Sequence, residues 1–117
     1  MRIKAWINAG AENDYGVTPL SLACINGSPV MIRKLLKAGA DPNATRQTGE
    51  TAIMTAARTG NLEAVKALLA FGPDLNRRET RRGQTALMWA VEQNHPQVAR
   101  LLIEHRADVN ARSKRDF

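Results

Sequence analysis

The stretch GETAIMTAARTGNLEAVKALLAFGPDLN, residues 49–76, contains the whole pattern from which the fold can be predicted. Aliphatic and alanine side chains recur at helical spacing before a break at Gly60-Asn61, and the same spacing resumes after it. Thr51 stands where a hydroxyl side chain caps a helix, and Gly72 stands where a left-handed residue ends one. The stretch therefore predicts two short helices joined by a tight turn and followed by a loop.

This unit is repeated along the chain. A Gly-x-Thr signature followed by a small and an aliphatic residue begins at Gly16, Gly49 and Gly83, and these starts are 33 and 34 residues apart. Two further markers recur with that period, an Asp-x-Asn element and an aliphatic pair. They are Asp41, Asp74 and Asp108, and Leu35-Leu36, Leu68-Leu69 and Leu102-Ile103. Markers that share one period indicate a solenoid, in which each unit packs against its neighbours.

The chain resembles the ankyrin repeat family. That family opens its first helix with Thr-Pro-Leu-His-x-Ala and closes its second with a Gly-Ala-Asp-x-Asn turn. Here the matching segments are GVTPLSLA, GETAIMTA and GQTALMWA, and then GADPN, GPDLN and RADVN. The resemblance spans roughly residues 1–112, and the amino-acid sequence of the third unit looks most like that of bacterial members. It implies an all-α solenoid of stacked helix–turn–helix units with projecting β-turn or hairpin-like fingers.

The repeat pattern predicts one domain over residues 1–117 and seven helices, the first at Arg2–Ala9. The predicted divisions are a partial repeat with only a second helix over 1–11, repeats over 12–43, 44–76 and 77–110, and the start of a further finger over 111–117. Arg106 stands where the family has glycine, so a left-handed residue there carries strain of roughly 1 kcal/mol. Neither end shows a polar-faced capping repeat, so we expect weak self-association through uncapped ends.

The composition indicates which partners and which cellular compartment to expect for the protein. Seventeen basic against 11 acidic residues give a net charge of +6, which favours anionic partners. The single cysteine, Cys24, excludes an intramolecular disulfide, and its apolar neighbours predict that it is buried. The N-terminal MRIKAWINAG has no uninterrupted apolar run of secretory length, and nowhere does an apolar run approach the ~18 residues of a membrane span. We therefore expect a cytoplasmic protein without membrane contact.

Sites for catalysis, metals or cofactors are not predicted. His95 and His105 are too far apart for one-turn chelation, and we expect them at the surface or as helix caps. The Asp-x-Asn elements lack the later glutamate of a calcium loop, and no glycine-rich phosphate motif occurs. Met54, Met88 and Trp89 form an apolar helical set, for which core packing is expected. We expect no enzymatic activity and no cofactor.

In ankyrin repeats, partners bind to the fingers and to the concave face of the first helices. The resemblance therefore implies candidate partner-binding residues, which in the first unit are Tyr15 and Val17. In the middle unit they are Gln47, Thr48, Glu50, Arg58 and Thr59. In the third unit they are Arg78, Arg81, Arg82, Gln84, Glu92 and Gln93. The third set includes three of the four arginines that lie within the six residues of RRETRR, residues 77–82.

Three functions remain open from the sequence. The first is a non-catalytic protein-binding module whose partner has an acidic surface, because guanidinium groups match carboxylates bidentately. The second is binding of nucleic acid or another polyanion through the same fingers, against which the basic patch lacks interleaved aromatics for base stacking. The third is a bare structural fragment of a longer array, natural or engineered, as the missing caps suggest.

Overall fold

The computed structural model describes residues 18–46 and 48–111, which form six helices in three pairs. In chain order they are α1 Pro19–Asn26, α2 Pro29–Lys37, α3 Ala52–Thr59, α4 Leu62–Leu69, α5 Ala86–Glu92 and α6 Pro96–Glu104. Within these residues the β pairing is limited to one isolated bridge between Thr45 and Thr51. The predicted all-α solenoid is confirmed, whereas the helix predicted at Arg2–Ala9 lies outside the described residues.

Each first helix begins at a threonine cap. The threonine hydroxyl accepts a hydrogen bond from the backbone N–H three residues later, at 3.1, 3.4 and 3.3 Å in successive units. The cap residues are Thr18, Thr51 and Thr85. In the first and third units, a proline occupies the first turn of the second helix; these residues are Pro29 and Pro96. Since a cap satisfies a backbone donor that the helix leaves free, these residues explain why the helices begin in register.

The helices stack in two rows. The first helices α1, α3 and α5 contact one another in sequence, and so do the second helices α2, α4 and α6. The core lies between the rows, and its larger side chains are fully buried: Ile32, Ile53, Val65, Leu68 and Leu102. Helix α3 lies between α1 and α5, and every residue from Ala52 to Ala57 is buried.

The Asp-x-Asn elements join the units through a regular chain of hydrogen bonds. Within the first element the Asp41 carboxylate accepts from the Asn43 N–H at 2.9 Å, and the Asn43 side-chain oxygen then accepts from the Asp74 N–H at 2.7 Å. The same pair of contacts recurs one unit later, where the Asn76 oxygen accepts from the Asp108 N–H at 2.8 Å. The motif therefore repeats because it stabilises the turn and its stacking, not because it binds calcium.

The tight turns between paired helices are also joined. Asn61 Nδ2 donates to the Gly27 carbonyl at 2.9 Å, and His95 Nε2 lies 3.1 Å from the Arg58 carbonyl. His95 stands at the N-cap of α6, as expected, but its side chain makes no cap hydrogen bond. Its ring instead lies against Gly60, where an added Cβ would come within 2.4 Å of the imidazole.

Two further predictions about single residues are confirmed. Arg106 has a φ of +69°, close to the +64° of Gly72 at the same turn of the preceding unit. Cys24 is fully buried, and burial raises the pKa of its thiol to about 12. A thiol with so high a pKa stays protonated and unreactive at neutral pH.

Candidate functional site

The candidate site begins with two loops that project before α3 and α5. The middle finger, residues 45–50, is closed by the Arg46 N–H, which donates to the Glu50 carbonyl at 2.9 Å, and by the Gly49 N–H, which donates to the Arg46 carbonyl at 2.8 Å. Gly49 has a φ of +79°, which favours glycine over other residues. These bonds and the left-handed Gly49 make the described part of the middle finger, residues 45–46 and 48–50, a tight turn.

The third finger, residues 78–84, is built over a buried carboxylate. Glu79 is only 6% exposed, and its Oε1 accepts from the Arg82 N–H at 2.7 Å and from the Gln84 N–H at 3.0 Å. The two fingers are joined directly, since the Thr80 N–H donates to the Thr48 carbonyl at 2.7 Å. The arginine-rich loop is thus held in one conformation beside its neighbour.

In the middle unit, the finger is tied to its helix by an ion pair. Glu50 Oε1 lies 3.1 Å from Arg58 Nη2 and also accepts from the Thr55 hydroxyl at 2.6 Å. Both of these donors come from α3, so the Glu50 charge is satisfied by its own unit. The carboxylate is accordingly occupied and not available to a cationic partner.

In the third unit, the position that matches Arg58 of the middle unit carries a glutamate instead of an arginine. Glu92 stands 34 residues after Arg58, and it accepts from Gln84 Nε2 at 2.6 Å and from Arg82 Nη1 at 3.1 Å. These contacts lower the pKa of the Glu92 carboxyl, chiefly through the Gln84 hydrogen bond; desolvation opposes the shift, and the hydrogen bond and charge of Arg82 add to it. Glu92 therefore holds Arg82 against α5.

The other two arginines of the third finger have no such partner. Arg78 and Arg81 are exposed and make no hydrogen bond or ion pair with any residue that the structure describes. Arg77, by contrast, donates to the Asn43 carbonyl at 3.2 Å and lies 3.6 Å from Asp74. The free positive charge of this loop is thus concentrated at its tip.

A groove of about 500 Å³ separates the two fingers. Its lining residues are Thr48, Glu50, Glu79, Arg81, Arg82 and Trp89. The Arg82 guanidinium carbon lies 5.8 Å from the centroid of the Trp89 ring, and Trp89 Nε1 has no hydrogen-bond partner among the described residues. The groove thus presents the exposed guanidinium of Arg81 to a partner, and the Trp89 indole nitrogen is buried in this conformation.

The structure brings together many of the candidate residues. Thr48, Glu50, Arg81 and Arg82 line the groove, and Arg58, Gln84 and Glu92 hydrogen-bond to members of this set or to one another. Arg78, Thr59 and Gln93 are exposed but do not line it. Gln84 is 6% exposed, so its amide supports Glu92 and not a partner directly. Tyr15, Val17 and Gln47 lie outside the described residues.

Trp89 was assigned only to core packing, and its place in the groove was missed. The side chain does pack partly against the core, but it is half-buried and its ring nitrogen faces no acceptor. Its counterpart in the middle unit is Thr55, which is buried and bonded to Glu50. That exchange of a small polar residue for the largest aromatic was the available signal.

The described residues contain no group of three or more His, Cys, Asp or Glu side chains that could hold a metal ion. In the same part of the chain, every helix is too short or too polar to cross a membrane.

Comparison with known proteins agrees with this architecture. The family model described as "Ankyrin repeats (3 copies)" matches residues 20–113. Two plant relatives are the E3 ubiquitin-protein ligase XBAT33 of Arabidopsis thaliana and the probable E3 ubiquitin-protein ligase XBOS33 of Oryza sativa subsp. japonica. Each is 36% identical over 67 residues, which covers 57% of this chain but 13% of the relative. The bacterial likeness of the third unit stays a prediction. The matched residues include all six described helices except the first residue of α1. The chain therefore belongs to the ankyrin repeat family.

Proposed function

We propose that this chain is a non-catalytic module that binds a protein partner through its fingers and the concave face of α1, α3 and α5. Ankyrin repeats are in general protein-interaction modules. The observation that carries the proposal is the groove between the fingers, whose walls are fixed by hydrogen bonds from Glu79 and between Thr80 and Thr48. Side chains on a fixed scaffold lose little conformational entropy when a partner binds.

The charge of the site favours an acidic partner. Arg78 and Arg81 are exposed, and no acid among the described residues neutralises them. A guanidinium group has donors and no acceptor, and its planar fork matches a carboxylate. We therefore propose a partner with an acidic surface, and a cytoplasmic location consistent with the single unpaired thiol of Cys24.

Nucleic-acid binding is the alternative, and the arrangement of acids opposes it. Three carboxylates, of Glu50, Glu79 and Glu92, lie in the groove or beside it. A phosphate backbone would meet these charges along with the arginines. The Trp89 ring does not offer an open face for base stacking, because Arg82 lies over it.

The experiment is a selection of peptides from a random display library on the immobilised full chain. Bound peptides are counter-selected on the variant Arg78→Ser/Arg81→Ser/Arg82→Ser. The matched control is Arg33→Ser/Lys37→Ser/Arg100→Ser, which removes the same charge from exposed positions on α2 and α6. We expect enrichment of Asp and Glu, and binding that the finger variant loses and the control variant keeps.

The finger variant must remain folded for this comparison. Exposed substitutions usually change stability by less than about 0.5 kcal/mol, so its melting temperature should stay close to that of the unchanged chain. Peptides that bind both variants equally well would contradict the proposal. Tight binding of duplex DNA, with a log–log salt slope of about −0.9 for each phosphate neutralised, would favour the alternative.

Self-association stays a prediction, and exposed apolar side chains of the third unit support it. Val91, Ile103 and Val109 are 65%, 48% and 61% exposed. Sedimentation at several concentrations should show a concentration-dependent dimer, which Val91→Asp should weaken. A strict monomer at the highest concentration would contradict this prediction.

A further inference from the structure

We propose that the groove between the fingers is a subsite for a single carboxylate, an Asp or Glu side chain of the bound partner. The inference rests on the proposed protein-binding function and adds to it the atoms that recognise the acid. Arg81 would form the ion pair and Arg82 would move from Glu92 to the ligand. That movement would uncover the buried Trp89 indole N–H, which would then donate the second hydrogen bond.

The unpartnered indole is the first support. Buried polar groups in proteins nearly always have a hydrogen-bond partner, and an indole nitrogen only donates. Trp89 Nε1 is buried and has no acceptor among the described residues, although the groove that Trp89 lines contains two glutamates. Both are engaged elsewhere: Glu50 with Arg58 and Thr55, and Glu79 with backbone N–H groups. A partner carboxylate would supply that acceptor once Arg82 leaves its position over the ring, since the nitrogen is buried in this conformation.

The second support is the charge balance around the groove. Arg58 and Arg82 are paired with Glu50 and Glu92, whereas no acid among the described residues pairs with Arg81. A partner carboxylate beside Arg81 meets an unpaired guanidinium, whereas a run of phosphates would also meet the carboxylates of Glu50 and Glu79.

The third support is the contact between Arg82 and Glu92. Glu92 Oε1 lies 3.1 Å from Arg82 Nη1, in a contact that leaves both side chains more than a third exposed. Such a surface pair is weak, so a second carboxylate can compete for the guanidinium. Glu92 keeps its 2.6 Å hydrogen bond from Gln84 when Arg82 leaves. Glu92 is thus an internal competitor of the ligand.

These contacts predict that two substitutions weaken binding and that a third tightens it. Arg81→Gln removes the ion pair and should weaken binding roughly five-fold. Trp89→Phe keeps the ring and removes the donor, and should weaken binding about three-fold. Glu92→Gln removes the competitor and should tighten binding about three-fold.

The experiment is an NMR titration of the ¹⁵N-labelled full chain. The probe is a decapeptide of alternating glutamate and glycine, and its glutamine counterpart is the negative control. The readout is the indole N–H resonance of Trp89, which Trp89→Phe distinguishes from that of Trp6. We expect the glutamate peptide to move this resonance downfield as the N–H gains an acceptor, and the glutamine peptide to leave it in place.

Matched controls separate the subsite from diffuse attraction. Arg100→Gln and Glu104→Gln make the same charge changes at exposed positions on α6, and should alter the dissociation constant by less than about two-fold. Equal weakening by Arg100→Gln and Arg81→Gln would overturn the subsite, and so would a Glu92→Gln variant that does not bind more tightly. If the display selection still gave peptides whose binding depends on the finger arginines, the proposed function would stand without the subsite. A selection that gave no such peptides would instead contradict the proposed function itself.

Discussion

The middle and third repeats share one motif but differ in how many neighbours cover them. In the middle repeat, Ala52 to Ala57 are all buried between α1 and α5. In the third repeat, the matching first helix has Met88 and Trp89 only half-buried and Val91 65% exposed. The structure describes no helix pair after α6. The comparison teaches that the motif determines the local fold, whereas the position in the stack determines which side chains remain accessible.

The turns differ in the same way. Gly60 has a φ of +77° and the His95 ring pressed against it, so only glycine fits. Its counterpart in the third repeat is Asn94, with a φ of +60°. Asparagine tolerates the left-handed region, and among the described residues no further unit packs on this turn. Arg106 replaces glycine at the second turn, where the space beside Gly72 of the middle repeat is already open, so that its cost is backbone strain and not a clash.

The first prediction tests burial at matching positions. Met54 is 1% exposed, and Met54→Ala should cost about 2–4 kcal/mol because it leaves a cavity in the core. Met88 is half-buried, so Met88→Ala should cost about 1 kcal/mol. Urea unfolding of both variants measures the difference, and an unchanged slope shows that the transition remains comparable. Equal losses would mean that the third repeat is covered as fully as the middle one.

The second prediction concerns the glycine turns. Gly60→Ala and Gly72→Ala both place a side chain in the left-handed region, which costs about 1 kcal/mol. At Gly60 the new methyl group also displaces His95 from its contact with the Arg58 carbonyl, so the loss there should reach about 2 kcal/mol. The space beside Gly72 is open.

A double-mutant cycle isolates this contribution of His95. In a His95→Ala background, Gly60→Ala should cost no more than Gly72→Ala, because the ring that crowds the turn is gone. An undiminished loss in that background would show that backbone strain alone makes Gly60 necessary.

The third prediction sharpens the comparison at the last turn. Arg106 has a φ of +69°, so Arg106→Gly should relieve strain of roughly 1 kcal/mol and raise the urea midpoint. Arg106→Ala is the matched control, since it removes the charge but keeps the Cβ atom that causes the strain. A midpoint raised equally by both variants would attribute the gain to charge instead.

The sequence was sufficient for the fold because the period and the caps are local signals. Thr51 and its counterparts begin each first helix, and the Asp-x-Asn turns recur with the repeat. The left-handed conformation of Arg106 followed from the glycines at the matching positions. Each of these inferences needs only the neighbouring residues and the register.

The site was predicted less completely, because its residues depend on contacts between units. The free charge of Arg81 was visible in the composition of the loop, but the burial of Glu79 beneath that loop was not. Gln84 appeared to be a partner contact and is instead a buried donor to Glu92. Trp89 is half-buried and lines a groove that the middle finger also forms, so its position depends on a contact between units. The periodicity of a sequence does not determine the conformation of a loop, nor which part of a helix a neighbouring element buries.

The last prediction, for which we expect the smallest effect, concerns Glu92 of the third repeat, which stands at the position of Arg58 in the middle repeat. The pKa of Glu92 is lowered in the folded chain, first by the hydrogen bond from Gln84 and then by Arg82. A carboxyl whose folded pKa is depressed stabilises the fold above its unfolded pKa, and this stability is lost as the pH falls through the folded pKa. Because both side chains are more than a third exposed, the contribution should be only a few tenths of a kcal/mol.

Urea unfolding of the unchanged chain and of Glu92→Gln from neutral pH to about pH 3 measures this contribution, since that range includes the ordinary carboxyl pKa. The unchanged chain should be slightly the more stable at neutral pH, and the difference should close at acid pH. Gln84→Met should reduce this pH dependence more than Arg82→Gln does, because Gln84 makes the shorter hydrogen bond. The reverse order would mean that Arg82, and not the buried amide, makes the larger contribution to the lowered pKa of Glu92. In that case Glu92, which is ionised at neutral pH with or without Arg82, would hold the guanidinium more firmly against an incoming carboxylate.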